Sequence, residues 1–284
     1  MIIASSIEDL KQALNELRKQ QKTIALVPTM GNLHVGHLKL VDTAKKHADC
    51  VVVSLFVNPT QFGANEDLDN YPRTLQNDID KLQALDADIL FTPTEEDMYP
   101  LGGSNATHVH VPPHLTNILC GASRSNHFDG VTTIVAKLFN IVQANVAVFG
   151  EKDFQQLTVI RQMVDDLNIP IEIIGESIVR ETNGLAMSSR NGNLTIEQRK
   201  LAPLLQQSLL ETKQAIQQGA TNFENLEQRT REQLNAHGFK TDYISIINSN
   251  DLQSAQAGDT SLIILAAAFL GDVRLIDNLM FIVK

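Results

Sequence analysis

Cysteine is nearly absent from this chain: its 284 residues include two, Cys50 and Cys120. They form no motif, so a disulfide framework and a cysteine metal site both drop out, and Cys50, opening an apolar strand, reads as a core thiol. Basic residues are also scarce. Lysine and arginine number 23 against 33 acidic residues, a net charge of −10, which argues against a broad nucleic-acid surface and leaves room for one basic pocket serving a nucleotide. No apolar run reaches the roughly 18 residues of a membrane span, and a polar, helix-like N-terminus stands in place of a signal peptide. The expected location is the cytoplasm, with no membrane partner. Repeats and low-complexity segments are missing too. The first buried strand is not followed by G-x-G-x-x-G, so a dinucleotide dehydrogenase lacks support.

What is present is an alternation. Strands are expected at 23–27, 51–57, 88–92, 146–149 and 171–174, and helices at 7–20, 37–48, 74–85, 130–143 and 153–167. This rhythm predicts an α/β fold, a Rossmann-like parallel sheet with helices on both faces. After about residue 176 the pattern changes to helices at 195–218 and 222–237 and strands at 242–247, 261–268 and 279–283. A first domain over 1–176 and a smaller C-terminal α+β domain over 177–284 are therefore expected. Asp153, with Gln156 three positions on, has the spacing of a helix capping box.

Pro28 to His37 read PTMGNLHVGH, a turn between the apolar strand and an amphipathic stretch. Gly31 and Gly36 allow close backbone approach, and N–H groups at a helix opening attract anions. If the helix starts near Val35, His34 and His37 face one ligand and can donate to phosphate oxygens. Asn58 and Gln61 in NPTQ follow the second strand of the alternation, on the edge where ligands of open parallel sheets bind. Gly150-Glu151-Lys152-Asp153 repeats that logic, with Lys152 as a compact cation within reach of phosphate. Met187-Ser188-Ser189-Arg190, after Gly184, can close over a triphosphate.

The segments PTMGNLHVGH (28–37), SLFVNPTQFG (54–63), YPRTL (71–75), VFGEKDFQQ (148–156), GLAMSSRN (184–191) and LGDVRLIDN (270–278) occur in order over most of the chain. Together they resemble the pantoate–beta-alanine ligase family, whose H-x-G-H motif is shared with class I aminoacyl-tRNA synthetases; MSSR resembles the mobile K-M-S-K-S loop of those enzymes. The resemblance implies an ATP-dependent ligase that joins pantoate to beta-alanine through an adenylate, with ATP and Mg²⁺ bound, as a homodimer. It assigns His34, His37, Lys152 and Arg190 to catalysis. To ATP it assigns Met30, Gly31, Asn32, Leu33, His34, Val35, Gly36, His37, Gly150, Glu151, Lys152, Asp153, Val179, Met187, Ser188, Ser189 and Arg190, with Asp153 near the ribose and 177–284 as a lid. To pantoate and beta-alanine it assigns Gln61, Gln156 and Asn58, and to magnesium, Asp78. This chain departs from the family pattern at Asn77, where some relatives carry a second acid, and at Cys120 and Ser125 in the segment before His127, which is left without a role.

Other features have plainer readings. His108 and His110 share one face of a short strand ended by Pro112-Pro113, and with His114 they lack the partners of a metal site. His47 and His237 read as solvent-facing, and Glu66 to Asn70 as a solvated acidic loop. Three alternatives have less support: a nucleotidyltransferase for a phosphorylated substrate wants a second basic pocket that the neutral NPTQFG turn does not offer, a tRNA synthetase wants an extension that this acidic chain lacks, and a silent nucleotide sensor would not need His34, His37, Lys152 and Arg190.

Overall fold

Ile24, Ala25, Leu26 and Val27 point alternately to opposite sides of one strand, and all four are buried, as a strand covered on both faces requires. In the computed structural model, which describes residues 1–63 and 66–283, this strand, β2 (Ile24–Thr29), lies within a six-stranded sheet. Its partners are β1 (Ile2–Ala4), β3 (Cys50–Leu55), β4 (Ile89–Phe91), β5 (Val146–Gly150) and β6 (Glu172–Glu176), in the spatial order β1-β4-β3-β2-β5-β6. Every neighbouring pair is parallel.

The longer helices of this unit, of ten residues or more, are α1 (Ile7–Lys19), α2 (Val35–Ala44), α3 (Leu75–Ala84), α4 (His127–Val142) and α5 (Phe154–Asp166). Leu10 and Leu14 of α1, Val131 and Leu138 of α4, and Leu157 and Ile160 of α5 form one core with Ile24 and Leu26. Leu40 and Val41 of α2 and Leu82 of α3 form another with Ala25 and Val27. The expected two-faced α/β layering is therefore present. β2 continues in sequence to β3 on one side and touches β5 on the other, so the strand order reverses between β2 and β5; crevices at such points hold ligands.

The chain divides into two compact units, Met1–Ser177 and Ile178–Lys284. The second contains α6 (Ile196–Leu201), α7 (Leu204–Gln217), α8 (Phe223–Ala236) and the antiparallel sheet β7 (Phe239–Asn248), β8 (Ser261–Leu270), β9 (Val273–Ile282). Leu205, Leu209, Leu234, Ile244 and Ile264 share its core. Gly271, at φ +60°, opens the two-residue turn between β8 and β9, the position where such hairpins favour glycine.

Several expectations are corrected. The continuous helix expected at 195–218 is broken between Leu201 and Leu204, where Pro203 has no N–H for an intrahelical bond. β9 begins at Val273, six residues before the expected 279, because the turn at Gly271 pairs Val273 to Asn278 with β8 as well. β1 was not anticipated; three residues are too short for a periodicity signal, and pairing with β4 defines it. His108 and His110 lie outside any strand. Asp153 is the N-cap of α5 but makes no capping bond, so the box with Gln156 does not form. Among the described residues no helix is long and apolar enough to cross a membrane.

Candidate active site

The turn after β2 is built from the inside. Gly31 and Asn32 adopt left-handed backbone, φ +83° and +50°, so successive N–H groups converge on one point. The anion they hold belongs to the protein: Asn32 N donates to Asp78 Oδ2 at 2.8 Å and Leu33 N to Asp78 Oδ1 at 2.7 Å. Thr74 Oγ1 adds a third bond at 3.2 Å, and Lys81 Nζ donates to Leu33 O at 2.6 Å. A carboxylate and a lysine one turn apart on α3 thus clamp the turn, and Asp78 has no solvent exposure. The N–H groups at 32 and 33 are thus directed at a carboxylate of the protein itself, with Gly31 and Leu33 buried; Asp78, the residue expected near magnesium, sits as an anchor inside the fold.

The donors left for a ligand are imidazoles. His34 is the N-cap of α2, which starts at Val35, and its Nδ1 accepts from Gly36 N at 3.1 Å. His37 Nδ1 accepts from His34 N at 3.4 Å, and the two rings stack 4.0 Å apart. A neutral imidazole whose Nδ1 accepts carries its proton on Nε2. Burial, then Lys152 and Lys81, push the His34 pKa down to about 4 against the opposing pull of Asp153. Burial, then His34, Lys152 and Lys81, push His37 down to about 3. Both rings are therefore neutral Nε2–H donors near neutral pH. Protonation favours the unfolded chain as pH falls below the ordinary value of 6.5 and reaches the folded rings only near 4 and 3. Long-range proton–nitrogen NMR spectra are expected to show both rings as Nε2–H tautomers from about pH 8 to 5; a titration midpoint between about 6 and 7, the range of an ordinary histidine, would contradict this.

Lys152 follows β5, next to β2, and its charge reaches both rings, as their lowered proton affinity records. On the other side, β3 delivers Asn58 and Gln61. Asn58, 1% exposed, uses its full side-chain capacity internally. Its Nδ2 donates to Gln61 Oε1 and Gly130 O at 3.0 and 3.1 Å, and its Oδ1 accepts from Tyr99 Oη and Thr60 Oγ1 at 2.8 and 3.0 Å. Asn58, expected to contact substrate, here orients Gln61. Gln61 Nε2 donates to Met30 Sδ at 3.3 Å, which leaves one amide hydrogen and one oxygen lone pair for a ligand. Of the consecutive glutamines on α5, Gln155 is buried and bonds Leu115 O, Ile118 O and Cys120 N. Gln156 is half-buried.

Residues 179–187 form a narrow hairpin in the second unit, with Met187 N donating to Val179 O at 2.9 Å and Arg180 bridged to Ala186. Ser188 Oγ then accepts from Arg190 N at 3.3 Å. Val179 and the MSSR segment thus come together across one hairpin. Arg180, not singled out from the sequence, fixes its base through a bidentate pair with buried Asp277 at 2.7 and 2.8 Å.

The sequence reading missed Lys81, His127 and the pairing of Glu66. Glu66 is no solvated acid, for Arg124 grips it; nothing in a loop of acids announces a partner 58 residues away. His110 does have a carboxylate neighbour, Asp129, at 2.9 Å, yet no metal-binding group of three appears among the described residues. Cys50 is a buried thiol pushed up to about 12 by burial and then Asp88 and Asp49.

Neutral N–H donors beside a lysine, at the point where a parallel sheet reverses, define an enzyme of the H-x-G-H class, which activates a substrate with a nucleoside triphosphate. The model of the family described as Pantoate-beta-alanine ligase matches residues 2–280. The chain belongs to that family. It is 52% identical over 278 residues to the pantothenate synthetase of Shewanella halifaxensis, with 98% of each chain covered. Among solved structures, pantothenate synthetase from Thermus thermophilus matches with a TM-score of 0.92 at 43% identity, covering 98% of this chain and 99% of that one. Pantoate–beta-alanine ligase from Francisella tularensis, complexed with beta-gamma ATP and beta-alanine, matches with a TM-score of 0.84 at 40% identity, covering 99% and 97%.

Proposed function

We infer that this chain condenses (R)-pantoate with beta-alanine, consuming ATP and releasing AMP and pyrophosphate, by way of pantoyl adenylate. The observation that carries the reading is the convergence on one sheet edge of the paired Nε2–H donors after β2 and the half-committed amide of Gln61 after β3, within a chain of this family. A carboxylate is a poor electrophile. Transfer of an adenylyl group to pantoate supplies AMP as leaving group, and the amine of beta-alanine then attacks the activated carbonyl. In the first step negative charge shifts onto the phosphate oxygens and the departing pyrophosphate, where neutral donors fixed in a dry site stabilise it without reorganising. His34, His37 and Lys152 take that role. Gln61 and Gln156 hold pantoate, and the resemblance assigns Met187, Ser188, Ser189, Arg190 and Val179 to ATP.

A magnesium ion brought by ATP would draw its ligands chiefly from phosphates and water, the Asp78 carboxylate being bonded to the turn at 32 and 33. The family further implies a cytoplasmic homodimer acting on small molecules. Labelled pyrophosphate is expected to exchange into ATP when pantoate is present and beta-alanine absent; exchange that needs beta-alanine, or none at all, would contradict the two-step reading.

A further inference from the structure

Behind Gln61 runs a chain of contacts that the transfer of AMP does not itself use. Arg124 Nε and Nη2 grip Glu66 Oε1 and Oε2 at 2.7 and 2.5 Å, with both side chains about one-fifth exposed, 19% and 23%. The remaining arm, Nη1, stands 3.0 Å from His127 Nε2. A guanidinium has only donors and keeps its proton, so His127 Nε2 must accept. The ring proton then sits on Nδ1, 2.8 Å from Gln61 O, to which it donates. The ring is 8% exposed and edge-on to Phe128. One helical turn further along α4, Gly130 meets the same stretch of backbone: a Cβ there would lie 2.4 Å from Thr60 O and 2.7 Å from Gln61 Cα. One face of α4 therefore grips the Gln61 backbone by a hydrogen bond and by close contact.

We propose that Arg124 is a positioning residue for the acid substrate: by fixing the Nδ1–H tautomer of His127 it pins the Gln61 backbone, so that the side-chain amide meets pantoate in one orientation. The proposal rests on the reading of Gln61 as a pantoate ligand. The charged groups around His127 are Arg124, Glu66 and Asp153, and burial followed by Arg124 holds the ring neutral, down to about 4, against the other two.

The test combines NMR with kinetics of the pantoate-dependent exchange. In the parent, His127 Nε2 is expected to be bare. In Arg124→Met it should gain a proton, while the pantoate KM rises about tenfold, the size of one lost hydrogen bond, and the ATP KM stays within about twofold, since the hydrogen bonds of Arg124 run to Glu66 and His127. Should Arg124→Met fail to fold, the parent tautomer and the pair His127→Asn and His127→Ala still decide the question. His127→Asn, which can present an N–H where Nδ1 stood, should restore the pantoate KM relative to His127→Ala. A protonated Nε2 in the parent, equal KM values in the Asn and Ala variants, or a pantoate KM that stays put while Nε2 gains its proton would overturn the proposal. Gln61→Ala is the control for the underlying reading: an unchanged pantoate KM there would sink the pocket assignment, while the tautomer result would still report on Arg124.

Discussion

Replacing either His34 or His37 by alanine is expected to slow pantoyl adenylate formation by roughly two to four orders of magnitude, the range for losing a positioned donor at developing charge. Alanine also removes structure. His34 caps α2 and His37 accepts the His34 amide, and a lost cap costs about 0.5–2 kcal/mol. Asparagine separates the two effects, because its side-chain oxygen can stand where Nδ1 accepts and it caps helices well, but nothing in it replaces the Nε2–H. His34→Asn and His37→Asn should therefore melt near the parent and remain as slow as the alanine variants. Single-turnover measurement of adenylate, with a melting curve for each protein, checks this; an active asparagine variant would show that the rings serve only as acceptors.

The second large effect is expected at Asp78, whose carboxylate holds the turn that carries His34. Asp78→Ala leaves the N–H of buried Leu33 and that of half-buried Asn32 without their acceptor, at about 1–3 kcal/mol for the buried group and less for the other. A loss of roughly 10 °C in Tm follows for a protein of this size. With the turn relaxed, His34 loses its placement, and adenylate formation should fall at least about a hundredfold by misplacement alone. The magnesium dependence of the remaining activity should match that of the parent. A variant with the parent's Tm but a raised magnesium requirement would return Asp78 to the metal.

These two sites also mark how far the sequence can be read. The strand–turn–helix around H-x-x-H was legible because Ile24 to Val27 are apolar on both faces and Gly31 and Gly36 mark a turn before an amphipathic stretch, signals that are local in the chain. The same reading put phosphate on the turn's backbone, since N–H groups beside glycines look like an anion site. It could not see that a carboxylate 45 residues downstream already occupied them. The internal bonds of Asn58 were hidden for a related reason: a polar residue at a strand end looks uncommitted until Tyr99, Gly130 and Gln61 are seen to use its hydrogen-bonding capacity. Arg124 and His127 were invisible as partners of Glu66 and Gln61 because their contacts span distant loops of dissimilar sequence. Local periodicity thus reveals strands and helix starts, whereas which polar groups remain uncommitted is decided by tertiary contacts.

The most direct test of the whole account follows one oxygen atom. In adenylation a carboxylate oxygen of pantoate bridges carbon and phosphorus until the amine expels it, so it must leave with AMP. Mass analysis of the nucleotide after turnover with oxygen-labelled pantoate, ATP and beta-alanine is expected to show one labelled oxygen in AMP; unlabelled AMP, or ADP as the product, would contradict adenylate chemistry at this site.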